Sequence, residues 1–478
     1  MNESPRIFEY LVFGSVRSRT LKLGHHKMFP LLSLPVPVIE DTIKLLCPHC
    51  YPTTRENRWT CHCALGCHGH DCVWEPEKRA ALASLCQTNK LLNFIATPFL
   101  YHSPTHRSNG HCRLRTVYGS RRDLARHVRT VHLAGPGGHF ESQFPDESEL
   151  FKNARAHVGV DPDPDASEHG DKVRFFMGLL LATCTGIREL CIPAAYYDHY
   201  DQPLAPFFCP GSLPRLETLG VIYDDEGGFD TDHLPDLFSA ATNLRTFRAW
   251  GLSGVTPGLN LGSLRELRLF KSVVQAEDLS LLLERCRQLE RFTYFTGDPI
   301  ITDEGPPSPR EIQDVILDKV PQLTDLELTT WENLWFDDLT DDDVLRDLKG
   351  LEQLREVRLD PDFLIPTAND PERREWVIWA DRFQAPVLSR PCVRPEVLVD
   401  MLPVSIKKLQ IGVPDTGGST DVLPLVPAIR KLGQVCKKKF PNLVAVAFSG
   451  LGDDEEQVRK LFEERGVTFL ISKDSDLA

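Results

Sequence analysis

One short apolar pattern recurs along most of the chain and limits the folds open to it. In Leu264-Arg265-Glu266-Leu267-Arg268-Leu269, apolar residues stand at positions one, four and six. Side chains alternate in an extended segment, so Leu267 and Leu269 share one face, and Leu264 enters that face from the preceding turn. A single copy describes any half-buried strand. Recurrence at a roughly constant interval indicates a repeat architecture instead.

We call these three apolar positions a triplet, and ten triplets are found. They are Val128/Val131/Leu133, Ile187/Leu190/Ile192, Leu216/Leu219/Val221, Leu244/Phe247/Ala249, Leu264/Leu267/Leu269, Leu289/Phe292/Tyr294, Leu323/Leu326/Leu328, Leu354/Val357/Leu359, Ile406/Leu409/Ile411 and Leu443/Val446/Phe448. The leading residues from Ile187 to Leu354 advance by 29, 28, 20, 25, 34 and 31 residues. These intervals centre near the range of roughly 20–29 residues that is typical of leucine-rich repeats.

Segments with helical spacing of apolar residues connect several triplets. They cover residues 234–238, 279–286 and 311–317, with helix N-terminal signals at Asp278 and at Ser308-Pro309. Ten strands of an ordinary α/β domain are the alternative, but the triplets share polar residues at their intervening positions. The sequence therefore predicts an α/β fold: an irregular leucine-rich-repeat solenoid in which parallel strands alternate with helices and each unit packs only on its neighbours.

Charge is distributed unevenly along the chain. The net charge is −14, yet residues 1–132 contain 18 Lys and Arg against 9 Asp and Glu, and the remainder contains 36 against 59. An acidic solenoid binds nucleic acid poorly, because phosphate contacts require Lys and Arg. No apolar run approaches the roughly 20 residues of a membrane span, and the first 30 residues lack the pattern of a signal peptide. We expect a cytoplasmic and/or nuclear protein with reduced cysteines that binds neither nucleic acid nor membrane.

The amino-terminal region shows a helical pattern instead of triplets. A proline-marked helix is predicted from Leu34-Pro35 to Leu46, and residues 80–96 are predicted to form one or two short helices that Thr97-Pro98 ends. The apolar residues of the first helix are Val38, Ile39, Ile43 and Leu46.

These segments together resemble an F-box. The opening Leu34-Pro35, the Leu-x-x-Leu-Cys of residues 82–86 and the Lys90–Tyr101 ending are similar to the form common in filamentous-fungal F-box proteins, and residues 120–129 resemble that family's entry into its first repeat. The resemblance implies a domain that docks onto a Skp-type adaptor of a cullin–RING ubiquitin ligase, while the repeats hold a protein target. Carried over by position, the adaptor-binding residues would be Leu34, Pro35, Val38, Ile39, Ile43, Leu82, Leu85, Leu91, Leu92 and Ile95. The alternative is that these residues form the core of a small helical cap on the solenoid.

A Cys/His-rich insertion at 47–79 separates the first two helices, whereas an F-box is normally almost continuous. A tetrahedral zinc site could use Cys47 and Cys50 with two of Cys61, Cys63, Cys67 or Cys72. The second half of such a site lacks a C-x-x-C pair, so we predict no metal and no cofactor, with a structural zinc as the alternative. Cys112, His127 and His132 do not form a zinc finger, because the upstream cysteine pair is missing.

The predicted domain organisation follows from these patterns. Its parts are an N-terminal extension (1–33), an F-box-like helical domain (34–101), the solenoid (102–471) and a tail (472–478). The solenoid has insertions at 134–170 and 360–400. The extension is expected to be disordered, and the sequence leaves open whether residues 1–27 belong to the functional protein.

The predicted function is that of a non-catalytic receptor. The sequence contains no nucleophile elbow, P-loop, dinucleotide fingerprint or zinc-protease motif. We expect an F-box substrate receptor whose target-facing positions include Arg265, Arg268, Thr324, Arg355 and Arg358. The alternatives are a leucine-rich-repeat interaction scaffold without ligase association and, from the basic first 132 residues, a metal-dependent nucleic-acid binder.

Overall fold

The computed structural model describes twelve parts of the chain. They are residues 31–47, 50, 76–103, 121–132, 181, 183–194, 210–223, 228–296, 306–330, 339–366, 393–412 and 422–471. The cysteines at 61, 63, 67, 72 and 112, the predicted insertion at 134–170, most of that at 360–400 and the predicted tail lie outside these residues.

A sheet of eleven parallel strands in chain order forms the body of the protein. Its strands are β1 (Thr130–His132), β2 (Glu189–Pro193), β3 (Thr218–Ile222), β5 (Thr246–Trp250), β7 (Glu266–Phe270), β8 (Arg291–Thr296), β9 (Asp325–Thr330), β10 (Glu356–Leu359), β11 (Lys408–Ile411), β12 (Ala445–Phe448) and β13 (Thr468–Ile471). A separate pair consists of β4 (Phe229–Asp230) and β6 (Leu252–Gly254). The predicted α/β fold with a solenoid-like succession of parallel strands is confirmed.

The second residues of all ten triplets lie in a single row across the sheet. Pairing runs from Val131 through Leu190, Leu219, Phe247, Leu267, Phe292, Leu326, Val357, Leu409 and Val446. The ten leading residues are each at most 2% exposed. The triplets therefore build one continuous core, because every strand turns the same side chains to the same face.

Helices cover this apolar face. They are α4 (Pro235–Ala240), α5 (Ala276–Arg285), α6 (Pro309–Lys319), α7 (Val397–Met401), α8 (Val426–Lys439) and α9 (Glu455–Glu463). The first three fall where the sequence predicts helices. Ser308 caps α6 with a complete capping box involving Glu311. Asp278 lies within the first turn of α5, whose N-cap is Gln275.

The eleventh strand was not among the predicted triplets. Phe469 of β13 continues the row after Val446, but the position three residues earlier is Gly466, which has a φ of +67°. A glycine accepts this left-handed conformation without the steric cost of a side chain. The leading apolar residue is thus replaced by a turn residue, and the spacing pattern fails there.

A helical unit precedes the sheet. We use this name for residues 31–47, 50 and 76–103, which form α1 (Val36–Lys44), α2 (Pro76–Thr88) and α3 (Lys90–Leu100). Asn89 caps α3 by accepting a hydrogen bond from the Leu92 amide at 2.9 Å. The predicted stop at Thr97-Pro98 is wrong, since α3 continues to Leu100. Pro98 lies in the last turn, where little of the helix remains to be disrupted.

A ladder of shared carbonyls joins the helical unit to the sheet. Before most strands, one backbone carbonyl accepts hydrogen bonds from two successive amides of the next unit. The Arg245 carbonyl, for example, accepts hydrogen bonds from the Arg265 and Glu266 amides at 2.8 and 3.0 Å. His102 O accepts from Arg129 and Thr130 at 2.9 and 3.0 Å in the same way. His102, just after α3, therefore occupies the ladder position before β1, and the helical unit continues the repeat geometry at the first edge of the sheet.

Candidate functional site

Exposed apolar side chains are concentrated on the helical unit. Among the described residues, nine large apolar side chains are exposed, and five of these belong to the unit: Leu32, Val36, Val38, Leu91 and Phe94. Leu91 and Phe94 lie three residues apart on α3, so they share one helix face. Such clustering is a feature of surfaces that contact another protein.

The ten predicted adaptor-binding residues divide between this surface and the core of the helical unit. Pro35, Val38 and Leu91 are exposed, and Leu34 and Leu85 are half-buried. The remaining residues are buried together between the helices: Ile39, Ile43, Leu82, Leu92 and Ile95. The buried residues shape the unit, and the exposed ones are available to a partner.

Phe94 was missed by the sequence reasoning. It is 77% exposed, more than Val38 at 44% or Leu91 at 40%. The helical spacing from Leu91 carries the signal for it, because residues three apart lie on the same face. Phe94 is the largest apolar group that the unit presents to solvent.

The strand face opposite the triplets carries charged side chains, and we call it the polar face. At its centre, Glu266 on β7 is 1% exposed. It accepts a hydrogen bond from Arg268 Nε at 2.5 Å and one from Arg291 Nη2 at 2.7 Å. Farther along, Lys408 Nζ lies 3.1 Å from Glu356 Oε1. The Arg291–Glu266 and Lys408–Glu356 pairs link neighbouring strands, whereas the Arg268–Glu266 pair lies within β7.

The predicted target-facing residues differ in how far they are available. Arg268 is largely buried in its pair with Glu266, and this burial lowers its pKa. The Thr324 hydroxyl donates to the Glu290 carbonyl at 2.9 Å. Arg265, Arg355 and Arg358 have more exposed side chains, and Arg265 pairs with Glu290 at 2.7 Å.

An aromatic row borders the polar face at the carboxyl ends of three adjacent strands. Trp250, Phe270 and Phe295 are paired in register. The rings of Trp250 and Phe270 stack at 6.2 Å between centroids, and those of Phe270 and Phe295 lie 6.3 Å apart. Lys271 Nζ is 5.2 Å from the centre of the Trp250 ring. Half-buried aromatic groups beside charges are typical of the anchors of protein interfaces.

Two cysteines and a histidine meet where the helical unit joins the sheet. His102 Nδ1 lies 3.6 Å from Cys47 Sγ and 3.2 Å from Cys50 Sγ. A hydrogen bond from Cys47, together with His102, lowers the pKa of Cys50 to about 5 despite its partial burial. The lowered pKa favours the thiolate, the form of cysteine that binds metal.

No protein-family model matches this chain, and no curated protein does. The family resemblance therefore remains one of sequence pattern, and the function has to be inferred from these surfaces. Within the described part of the chain, no helix combines the length and apolar character required to cross a bilayer.

The apolar surface and the polar face lie at different places along the sheet. The helical unit presents apolar groups at one end of the sheet, whereas the polar face and aromatic row extend along the strands that follow. The carbonyl of His102 connects the two through the first strand.

Proposed function

We propose that the protein is a non-catalytic substrate receptor of a ubiquitin ligase. In this proposal, the helical unit is an F-box that docks onto a Skp-type adaptor bound to a cullin–RING ligase. The parallel solenoid is an irregular leucine-rich-repeat array that holds a protein target. Ubiquitin transfer would then be promoted by proximity, because the receptor brings target and ligase together.

The observation that carries the proposal is the exposure of Val38, Leu91 and Phe94 on the helical unit. Helices with a complete apolar core of their own gain nothing within the fold from additional apolar side chains in water. An adaptor groove would bury these side chains, and burial contributes about 25 cal/mol per Å² of apolar surface before the costs of association.

The target would bind at the polar face and the aromatic row. Trp250 and Phe270 supply half-buried apolar anchors, and the exposed parts of Arg355 and Arg358 supply charge. Since the solenoid carries the excess of acidic residues, association with a basic target would be accelerated at low salt.

Adaptor binding is tested with the full chain co-expressed with a fungal Skp-type adaptor. We expect wild type to bind and a Val38→Asp/Phe94→Asp variant to lose affinity by at least about tenfold, because charges replace exposed apolar contacts. Isothermal titration or surface plasmon resonance gives the Kd. Both positions are exposed, so circular dichroism should remain that of wild type. Replacing Ile39 and Ile43 instead would disturb the core of the unit.

Val404→Asp is the matched control, because Val404 is 63% exposed but lies in the solenoid between α7 and β11. It should bind the adaptor as wild type does. A well-folded wild type that does not bind would refute the ligase role and leave the interaction-scaffold alternative.

A further inference from the structure

The cluster of Cys47, Cys50 and His102 is assembled from two separate segments. The Cys47 amide donates to Lys44 O at 3.0 Å at the end of α1, and the Cys50 amide donates to Cys47 O at 3.0 Å. This turn directs both cysteines toward His102, which follows α3. His102 is 52 residues from Cys50, so the sequence analysis, which sought ligands within 47–72, did not include it.

The two nitrogen–sulfur distances within the cluster fit a tetrahedral metal site. Zinc bonds of about 2.3 Å to sulfur and about 2.0 Å to nitrogen place neighbouring ligand atoms about 3.5 Å apart. The two observed separations between Nδ1 and the sulfurs, 3.6 and 3.2 Å, lie on either side of this value. All three ligand atoms are within 4.8 Å of one another.

The three groups supply the ligand chemistry that a metal ion requires. The Nδ1 of a neutral imidazole can carry a lone pair, and a cysteine sulfur binds metal as the thiolate. A metal ion between the three atoms accepts an electron pair from each. A mixed thiolate and imidazole set in tetrahedral geometry selects zinc among the common divalent ions.

We propose that Cys47, Cys50 and His102 bind a zinc ion that ties the turn after α1 to the residue after α3, beside the first strand of the sheet. Cys47 is fully buried, whereas Cys50 and His102 are half-buried, so a fourth ligand can approach from the more open side. The carbonyl of His102 is held by the amides of Arg129 and Thr130. The ion would therefore join the end of α1 to the residue whose carbonyl is hydrogen-bonded to β1.

Metal content of the full-length protein tests this proposal. We expect about one zinc per chain by inductively coupled plasma mass spectrometry, and a thiolate-to-metal charge-transfer band after replacement by cobalt(II). Cys47→Ser/Cys50→Ser and His102→Gln should each lower zinc affinity at least about tenfold in a chelator competition, a loss in the range known for altered metal shells.

Cys86→Ser is the matched control. Cys86 is a half-buried cysteine of the same helical unit whose sulfur contacts Thr97 Oγ1 at 3.7 Å, and this variant should retain full zinc content. A zinc affinity of His102→Gln equal to that of the wild type would overturn the proposal. A wild-type Cys47–Cys50 disulfide whose reduction gives no metal uptake would also overturn it.

X-ray absorption at the zinc edge of the wild type keeps the test independent of variant folding. Sulfur neighbours together with imidazole scattering support the site, and a shell without imidazole contradicts it. None of these readouts involves the adaptor, so failure here is distinguishable from failure of the proposed receptor function.

Discussion

Asp360→Asn is expected to remove a contribution to stability that decreases between about pH 4 and pH 8 in the wild type. Asp360 follows β10 and is fully buried. Burial, followed by the charge of Asp362, raises the pKa of its carboxyl to about 8. One oxygen accepts a hydrogen bond from the Asp362 amide at 3.1 Å. The hydroxyl and amide of Thr330 also face this carboxyl and oppose the rise in its pKa.

The direction of the effect follows from proton linkage. In the unfolded chain an aspartate has a pKa of about 3.9, so at intermediate pH only the folded protein keeps the Asp360 proton. Unfolding then releases a proton, and the free energy of unfolding falls by about 1.4 kcal/mol for each pH unit between the two pKa values. Below about pH 4 both states are protonated, and the contribution of this group is fully present.

Urea unfolding from pH 4 to pH 8, followed by tryptophan fluorescence and circular dichroism, measures the effect. Asparagine preserves an acceptor for the Asp362 amide and does not ionise. The difference in stability between variant and wild type should therefore grow in favour of the variant as the pH rises. Asp342→Asn, at a side chain that is 91% exposed, should show no such trend. Parallel curves for Asp360→Asn and wild type would contradict the assigned protonation.

Glu266→Gln is expected to destabilise the solenoid by about 3–5 kcal/mol, because it removes one partner of a buried charge network. The carboxylate is the shared acceptor of Arg268 and Arg291. Burial already lowers the pKa of Arg268, and the charge of Glu266 opposes that shift. Glutamine would leave the buried guanidinium without its counter-charge.

The matched control is Glu290→Gln. Glu290 pairs with Arg265 at 2.7 Å, which is also the distance between Glu266 and Arg291, but the Glu290 side chain is 47% exposed. An exposed pair contributes about 0–1 kcal/mol, so its loss should scarcely move the urea midpoint. The double variant Glu266→Gln/Arg268→Met should recover part of the loss, since the uncompensated charge is gone. Equal effects at Glu266 and Glu290 would show that burial does not govern the strength of this network.

The sequence predicted the repeating architecture because its signal is local. A triplet requires only that residues one, four and six be apolar, and the ten segments that meet this condition align in one row of the sheet. Where the condition failed, at Gly466, the strand was missed. The helix end predicted at Thr97-Pro98 was wrong because a helix tolerates, in its last turn, a proline that would break its interior.

The functional surfaces were less predictable because they depend on packing between distant segments. Helical spacing grouped Val38 with Ile39 and Ile43, but only the isoleucines are buried. The polar positions of the triplets were read as outward-facing, yet Glu266 is enclosed by two arginines. His102 carried no sequence signal as a ligand, since its partners Cys47 and Cys50 lie 55 and 52 residues away along the chain.

The in-register rows also explain how the protein accommodates connections of very different lengths. Val131 pairs with Leu190, and Phe247 pairs with Leu267. The stretch of chain between the first two partners is almost three times as long as the stretch between the second two. A threefold longer connection adds only about 1 kcal/mol of closure entropy. Segments between strands can therefore be lengthened or replaced at little energetic cost while the rows of paired strands stay as they are.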